Sequence, residues 1–253
     1  MDRHPLLRIA FVATTLASPS LAFAGGVNFG WNSSLGCYSE GGAIVRTFAC
    51  DTNLGTDVAV ASFVTSRDQP LFVGIEGIVD LQFQAATLPA WWDYVNAGSC
   101  RSTSLSVSSD FLDAPQSACV DAWMGLAQGG VSAYQTAWTQ PPVPNGYPNT
   151  SRLKVAFAVP SDRPSPLSAG IEYYAFRIAL NHAKTVGAGS CAGCSTPVCL
   201  TLTEIKSAEV NGAYERITSP IANKSAGFNG YPFSCAATPA ANLTWGQLKG
   251  FYR

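Results

Sequence analysis

Apolar and polar residues alternate with period two along much of this chain. That puts successive side chains on opposite faces of an extended strand. The clearest run is Val73 to Gln84. Val73, Ile75, Val79, Leu81 and Phe83 fall on one face, with Glu76, Asp80, Gln82 and Gln84 on the other. In Arg152 to Val159, Leu153, Val155, Phe157 and Val159 oppose Arg152 and Lys154. From Ile171 to His182, Tyr174, Phe176, Ile178 and Leu180 form one row, with Arg177 and Asn181 on the other face. Val198, Leu200 and Leu202 alternate with Thr201 and Thr203. Weaker strands are expected at 43–49, 57–65 and 103–108. Turn-rich stretches at 51–55, 66–70, 160–170 and 184–190 separate these runs.

Many half-buried strands punctuated by Gly, Pro and Asn predict an all-β protein, an antiparallel β-sandwich of Ig-like or jelly-roll-like form. One or two short helices are expected. One spans 119–127 and is stopped by Gly129-Gly130. The other lies at the C-terminus, where Thr244 and Gln247 fit a capping box and Trp245, Leu248, Phe251 and Tyr252 can share a face.

The N-terminus reads differently. Arg3 and Arg8 precede an apolar run over 9–17, followed by Ser18-Pro19-Ser20 and Ala22-Phe23-Ala24. This is the pattern of a secretory signal peptide, residues 1–24, with cleavage near Ala24. The apolar run is shorter than the ~20 residues a membrane span needs. Residues 25–253 are expected to be one disulfide-bonded β-sandwich domain, secreted or held at the cell surface. The segment Gln140 to Asn149 is expected to be a long loop within it.

Composition narrows the function. Charged residues make up 12% of the chain and the formal net charge is −1. No basic stripe offers a footprint for nucleic acid. Of two histidines, His4 lies in the leader, so His182 alone could serve catalysis. Its place at the end of an apolar row reads as packing, and a catalytic zinc site with two or three histidines is excluded. No G-x-S-x-G or P-loop motif occurs. A glycosidase with two carboxylates needs only a pair of Asp or Glu in a cleft, which the sequence leaves open.

The stretch Cys191-Ala192-Gly193-Cys194-Ser195-Thr196-Pro197-Val198-Cys199 carries three of eight cysteines. Ser195 after Cys194 excludes haem attachment, which needs His there. A redox C-x-x-C belongs between a strand and a helix, whereas this one lies in a Gly-rich loop feeding a strand. A structural zinc site would need Cys191, Cys194, Cys199 and Cys235 to stay reduced. In an exported chain, disulfides among Cys37, Cys50, Cys100, Cys119, Cys191, Cys194, Cys199 and Cys235 are expected. Eight cysteines allow 105 pairings. Nearness in sequence suggests Cys37–Cys50 and Cys100–Cys119, with the remaining four pairing among themselves, for example Cys191–Cys194 with Cys199–Cys235.

Two stretches carry candidate sites. Trp91, Trp92 and Tyr94, beside Asp93 and Asn96, could stack on sugars, although the same residues serve equally as core. Asp51, Asn53 and Asp57, around Gly55, offer alternate oxygens that suit Ca²⁺, or an ordinary Asx-rich turn. No other cofactor is implied. Asn32, Asn149, Asn223 and Asn242 begin glycosylation sequons.

Phe48-Ala49-Cys50-Asp51-Thr52-Asn53-Leu54-Gly55, the Leu88 to Cys100 segment, Glu172 to Leu202 and Thr244 to Arg253 resemble a set of uncharacterised secreted proteins from environmental bacteria. The resemblance implies an exported, disulfide-bonded domain and supplies no site. The chain therefore reads as a non-enzymatic secreted or cell-surface domain, structural or binding, with a polysaccharide or cell-surface component as partner. A carbohydrate-binding module using Trp91, Trp92 and either Trp123 or Trp138 is the first alternative, and the two-carboxylate hydrolase is the second.

Overall fold

The computed structural model describes residues 24–94, 98–137 and 148–230. The leader, Cys235, Trp138, the sequon at Asn242 and the expected C-terminal helix lie outside them. Twelve strands form two sheets: β1 (Gly26–Trp31), β2 (Val45–Arg46), β3 (Thr56–Val64), β4 (Gln69–Phe83), β5 (Leu105–Ser108), β6 (Gln128–Thr136), β7 (Thr150–Ala158), β8 (Ser165–Leu167), β9 (Glu172–Asn181), β10 (Val198–Glu209), β11 (Tyr214–Ile217) and β12 (Ser225–Phe228). The smaller sheet runs β1-β3-β9-β5. The larger runs β2-β12-β10-β4-β7-β6, with β11 added to β10 and β8 to β4. Every pairing is antiparallel except β2 with β12.

The alternating rows face each other across the sandwich. Ile75, Val79, Leu81 and Phe83 from β4, Leu153, Val155 and Phe157 from β7, Phe176, Ile178 and Leu180 from β9, and Leu200 and Leu202 from β10 are all buried in one continuous core. β10 changes phase midway. A bulge between Leu202 and Glu204 adds one residue, so Ile205 and Ser207 become the buried positions beyond it. The sheets touch closely at Gly77. A Cβ there would lie 2.5 Å from the Phe176 ring, so glycine makes the seat for that ring.

The 119–127 segment is not a helix. Asp121 Oδ1 accepts the Trp123 N–H at 2.8 Å, and Met124 and Gly125 both have positive φ. This bend sinks the Trp123 ring, whose Nε1–H reaches the carbonyls of Tyr174 and Ala175 at 3.1 and 3.0 Å. Burying one tryptophan outweighs a short helix of weak propensity. The short helical turns that do form are 3-10 turns at Tyr38–Glu40 and Ala90–Trp92.

The disulfides join Cys37 to Cys119, Cys50 to Cys194 and Cys100 to Cys191, across 82, 144 and 91 residues. This corrects the pairings expected from nearness in sequence: Cys37–Cys50, Cys100–Cys119 and Cys191–Cys194 do not form. Gly193, at φ 100°, turns the loop so that Cys191 and Cys194 face different partners. In a sandwich dominated by long-range pairing, cysteines meet because strands fold back, whatever their distance along the chain. Cys199 is also disulfide-bonded. Its expected partner Cys235 lies outside the described residues. Closing loops of this size is worth about 4–5 kcal/mol each in the chain-entropy account.

Two measurements check this architecture. Non-reducing peptide mapping should recover the three long-range bridges, and a Cys191–Cys194 peptide would contradict them. Phe176→Ala should cost about 3–5 kcal/mol in denaturant unfolding, as for a fully buried aromatic cut to Ala. A loss below about 1 kcal/mol would be that of a surface position.

Candidate functional site

The tryptophan pair lies inside the end of the sandwich. Trp91, Trp92 and Tyr94 have no exposed surface. The turn at Ala90–Trp92 is held by Trp91 N–H on the Ala192 carbonyl and Leu88 N–H on the Pro148 carbonyl. Phe48 packs on both tryptophans at 5.4 and 6.1 Å between ring centroids. Trp91 Nε1–H donates to Thr185 Oγ1, and the Tyr134 hydroxyl donates to the Trp92 carbonyl. The rings on which a sugar would have to stack are thus spent on the core.

Arg101 lies buried beside them, 3.5 Å above the Trp91 ring and 5.4 Å from that of Tyr94. Its guanidinium donates to the carbonyls of Trp91 and Asn181. Burial pushes its pKa down, with the Tyr94 hydroxyl opposing, while burial pushes Tyr94 well up. The aromatic faces supply the cation with what a carboxylate would otherwise supply.

Asp57 and Asn53 are each taken up by partners of the protein itself. Asp57 Oδ1 meets Arg46 Nε at 2.6 Å and its Oδ2 meets His182 Nε2 at 2.8 Å. Asn53 Oδ1 accepts the N–H groups of Thr185 and Val186, and its Nδ2 donates to the Val186 carbonyl. Asp51 is exposed. These side chains dock the 51–57 turn on the 182–186 turn, beside the Cys50–Cys194 bridge. His182 is buried against Phe48, and among the described residues its Nδ1 has no hydrogen-bond partner. Among the described residues, one cluster has metal-ligand types in reach of one another: Cys37, Cys119 and Glu172. Its two sulfurs already form a disulfide.

Glu40 and Glu172 flank that disulfide. Glu172 accepts from Asn28 and Ser62 on one oxygen and from Ser39 on the other. Glu40 accepts the N–H and hydroxyl of Ser117 and the N–H of Ala118 on Oε1. It accepts the Cys37 N–H and the Tyr174 hydroxyl on Oε2. Burial works to raise the Glu40 pKa, but the bonds from Tyr174, Ala118, Ser117 and Cys37 together hold it below its ordinary value. A carboxylate so fully engaged is a clamp on the 115–119 loop. The sequon asparagines are engaged too: Asn32, Asn149 and Asn223 each donate their Nδ2 to backbone carbonyls.

Among the described residues, no element covers the outer face of the larger sheet. Cross-strand register aligns two rows there. One is Tyr214, Ala208, Gly74, Ala158 and Gln128. The other is Arg216, Lys206, Glu76, Ala156 and Gly130. The small residues Ala208, Gly74, Ala158 and Ala156 form the floor of a shallow concavity of about 440 Å³. The Lys206–Glu76 pair at 3.3 Å and the exposed Tyr214 rise beside it. A second concavity of about 310 Å³ lies between the ends of β5 and β6, lined by Val107, Asp110, Leu112, Gly129 and Phe157. Alternation told which residues face outward. That small ones line up across four strands follows from register, which the sequence does not display.

The fold and this face define a disulfide-bonded β-sandwich with an open sheet surface, and the bridges fit an extracellular or cell-surface protein. No family model matches the chain, and no curated protein matches it. Among solved structures it is similar to a type II cohesin domain from the cellulosome of Acetivibrio cellulolyticus. The identity is 11% over 81% of this chain and 95% of that one, with a TM-score of 0.33. It is also similar to a chain of the CaDoc0917–CaCohA2 complex, at 10% identity over 76% of this chain and 99% of that one, with a TM-score of 0.29. Neither likeness places a site or a partner on this chain. No helix among the described residues is long and apolar enough to cross a membrane.

The Glu40 clamp has a pH signature. Its pKa is lower in the folded state, so ionised Glu40 stabilises the fold above its unfolded value, and that contribution is lost as pH falls through the folded value. Glu40→Gln should lower the melting temperature at pH 7. It should also flatten the acid loss of stability below the ordinary pKa of 4.5. A variant that melts like the parent at every pH would remove the clamp.

Proposed function

We propose that this is an exported binding domain whose partner is a protein or cell-surface component, held on the outer face of the larger sheet. The observation that carries the reading is the small-residue floor formed by Gly74, Ala156, Ala158 and Ala208 on an uncovered sheet face. Side chains at these positions contribute nothing to the core, and their small size lets another surface approach the backbone. The charge pair Lys206–Glu76 and the ring of Tyr214 give its border polar and aromatic contacts, as at the rim of a protein interface. Export, with cleavage near Ala24, is supported by the basic start, the apolar run and the A-x-A pattern. It is also supported by the chain's entry into β1 at Gly26, directly after the expected cut.

A face that binds can be filled without unfolding the domain. Ala158→Arg is at an exposed position and should leave the melting temperature within about 1 °C, since surface changes away from packed features cost little. It should reduce binding of the purified domain to intact cells of the source by at least tenfold, corresponding to about 1.4 kcal/mol. Parallel pull-downs on insoluble and soluble polysaccharides separate a sugar partner from a protein partner. Undiminished cell binding by the variant moves the function off this face.

A further inference from the structure

Among the described residues, one side of the sandwich is closed by its own chain and the other is not. Along the outer edge of β1, Val27 bonds Ser219 and Ile221, Phe29 N–H bonds Asn223, and Trp31 exchanges both its bonds with Ala43. The Asn223 side chain takes the Phe29 carbonyl. Every alternate donor and acceptor on that edge is satisfied. On the opposite side β6 ends the larger sheet and β5 ends the smaller one. No backbone hydrogen bond from the outer side of β6 to any other segment occurs among the described residues.

An uncovered edge is a template for pairing, and folded proteins usually blunt it with Lys, Pro or inward charge. β6 carries neither Lys, Pro nor inward charge in its nine residues, QGGVSAYQT, and the bulge at Ser132 is the one blunting device on it. β5, LSVS, is also uncharged. The cleft of about 310 Å³ opens between the two edges, and Leu112 on its wall is 72% exposed. We infer that β6 pairs antiparallel with β6 of a second copy, joining the two larger sheets across a twofold axis. The choice of occupant follows from the charge pattern. Twofold pairing sets each residue against its own kind or its mirror position in the same strand, and like charges directly opposite destabilise a ladder. A neutral strand meets none of that repulsion when it is set against its own copy. The surface is distinct from the sheet face proposed above, and the two can fail independently.

Ser132 lies at the middle of β6, is exposed, and falls at the bulge, where it has no partner in β7. In a centred pairing it meets its own copy. Sedimentation velocity of the full exported chain, in a series up to about 1 mM, should show a monomer–dimer equilibrium. Ser132→Lys and Ser132→Glu should each leave the melting temperature unchanged and weaken the dimer at least tenfold. An equimolar mixture of the two should restore it as a heterodimer. A monomer at every concentration overturns the proposal, even if it captures an extended peptide of another protein. So does a dimer that both charge variants leave intact.

Discussion

The Cys191–Cys194 loop is the constraint on which the rest of this end of the molecule depends. Through Cys191 it holds the loop of Cys100, and through Cys194 it holds the turn after Phe48. Between those tethers lie Trp91, Trp92, Tyr94 and Arg101, all buried. A cation in such a place is costly unless its surroundings are fixed. The tethers fix the geometry: the Trp91 ring stays under the guanidinium and the Asn181 carbonyl stays beside it. The same loop sends its carbonyl at Ala192 to Trp91 N–H. Disulfides, cation and aromatic cluster therefore form one unit. A small number of covalent links lets a chain with few charges keep a polar group deep in an apolar end.

That unit also accounts for how the candidate sites fell. Aromatic residues beside Asp and Asn look the same in sequence whether they line a sugar site or a core. What decides is which side the covering loops lie on, and here the loops of Cys100 and Cys191 close over them. Asp51, Asn53 and Asp57 are similar. Their spacing suits an ion, yet the turn at 182–186 supplies N–H groups and His182 where an ion's charge would otherwise be needed. Sequence shows donor atoms, while only the fold shows which positive groups reach them first.

The fold was more legible than the sites, and unevenly so. β4, β7, β9 and β10 are buried on one face and wetted on the other, so alternation marks them. β1 is buried at all six positions and has no alternation to read. β6 was hidden for the opposite reason. It is exposed at most positions, and Gly129-Gly130 reads as the stop of a helix when it is the start of a strand. At Gly129 a Cβ would come within 2.0 Å of the Ala156 carbonyl oxygen, so the glycine serves a close crossing of two strands. Pairing by distant strands likewise hid the disulfides, because separation along the chain carries no information about which cysteines the ladders bring together.

The contrast between the two sides of the sandwich has a physical origin in the chain's course. The segment 219–223 must cross beside β1 to reach β12, and in passing it saturates that edge with Ser219, Ile221 and Asn223. Asn28 reinforces the crossing by accepting two N–H groups from 222 and 223, while its amide donates to Glu172. No described segment is routed past β6 in this way, and its pairing among the described residues is with β7 alone. The molecule therefore carries two kinds of uncommitted surface. One is a floor of small side chains on a sheet face, where the backbone is already paired and recognition has to come from shape and side chains. The other is an edge whose outer side has no backbone partner among the described residues, where recognition would be by main-chain hydrogen bonds. Charge on the first, at Lys206, Glu76 and Arg216, can discriminate among partners. Neutrality on the second leaves a copy of the same strand free of like-charge repulsion, which is the basis of the self-pairing inferred above.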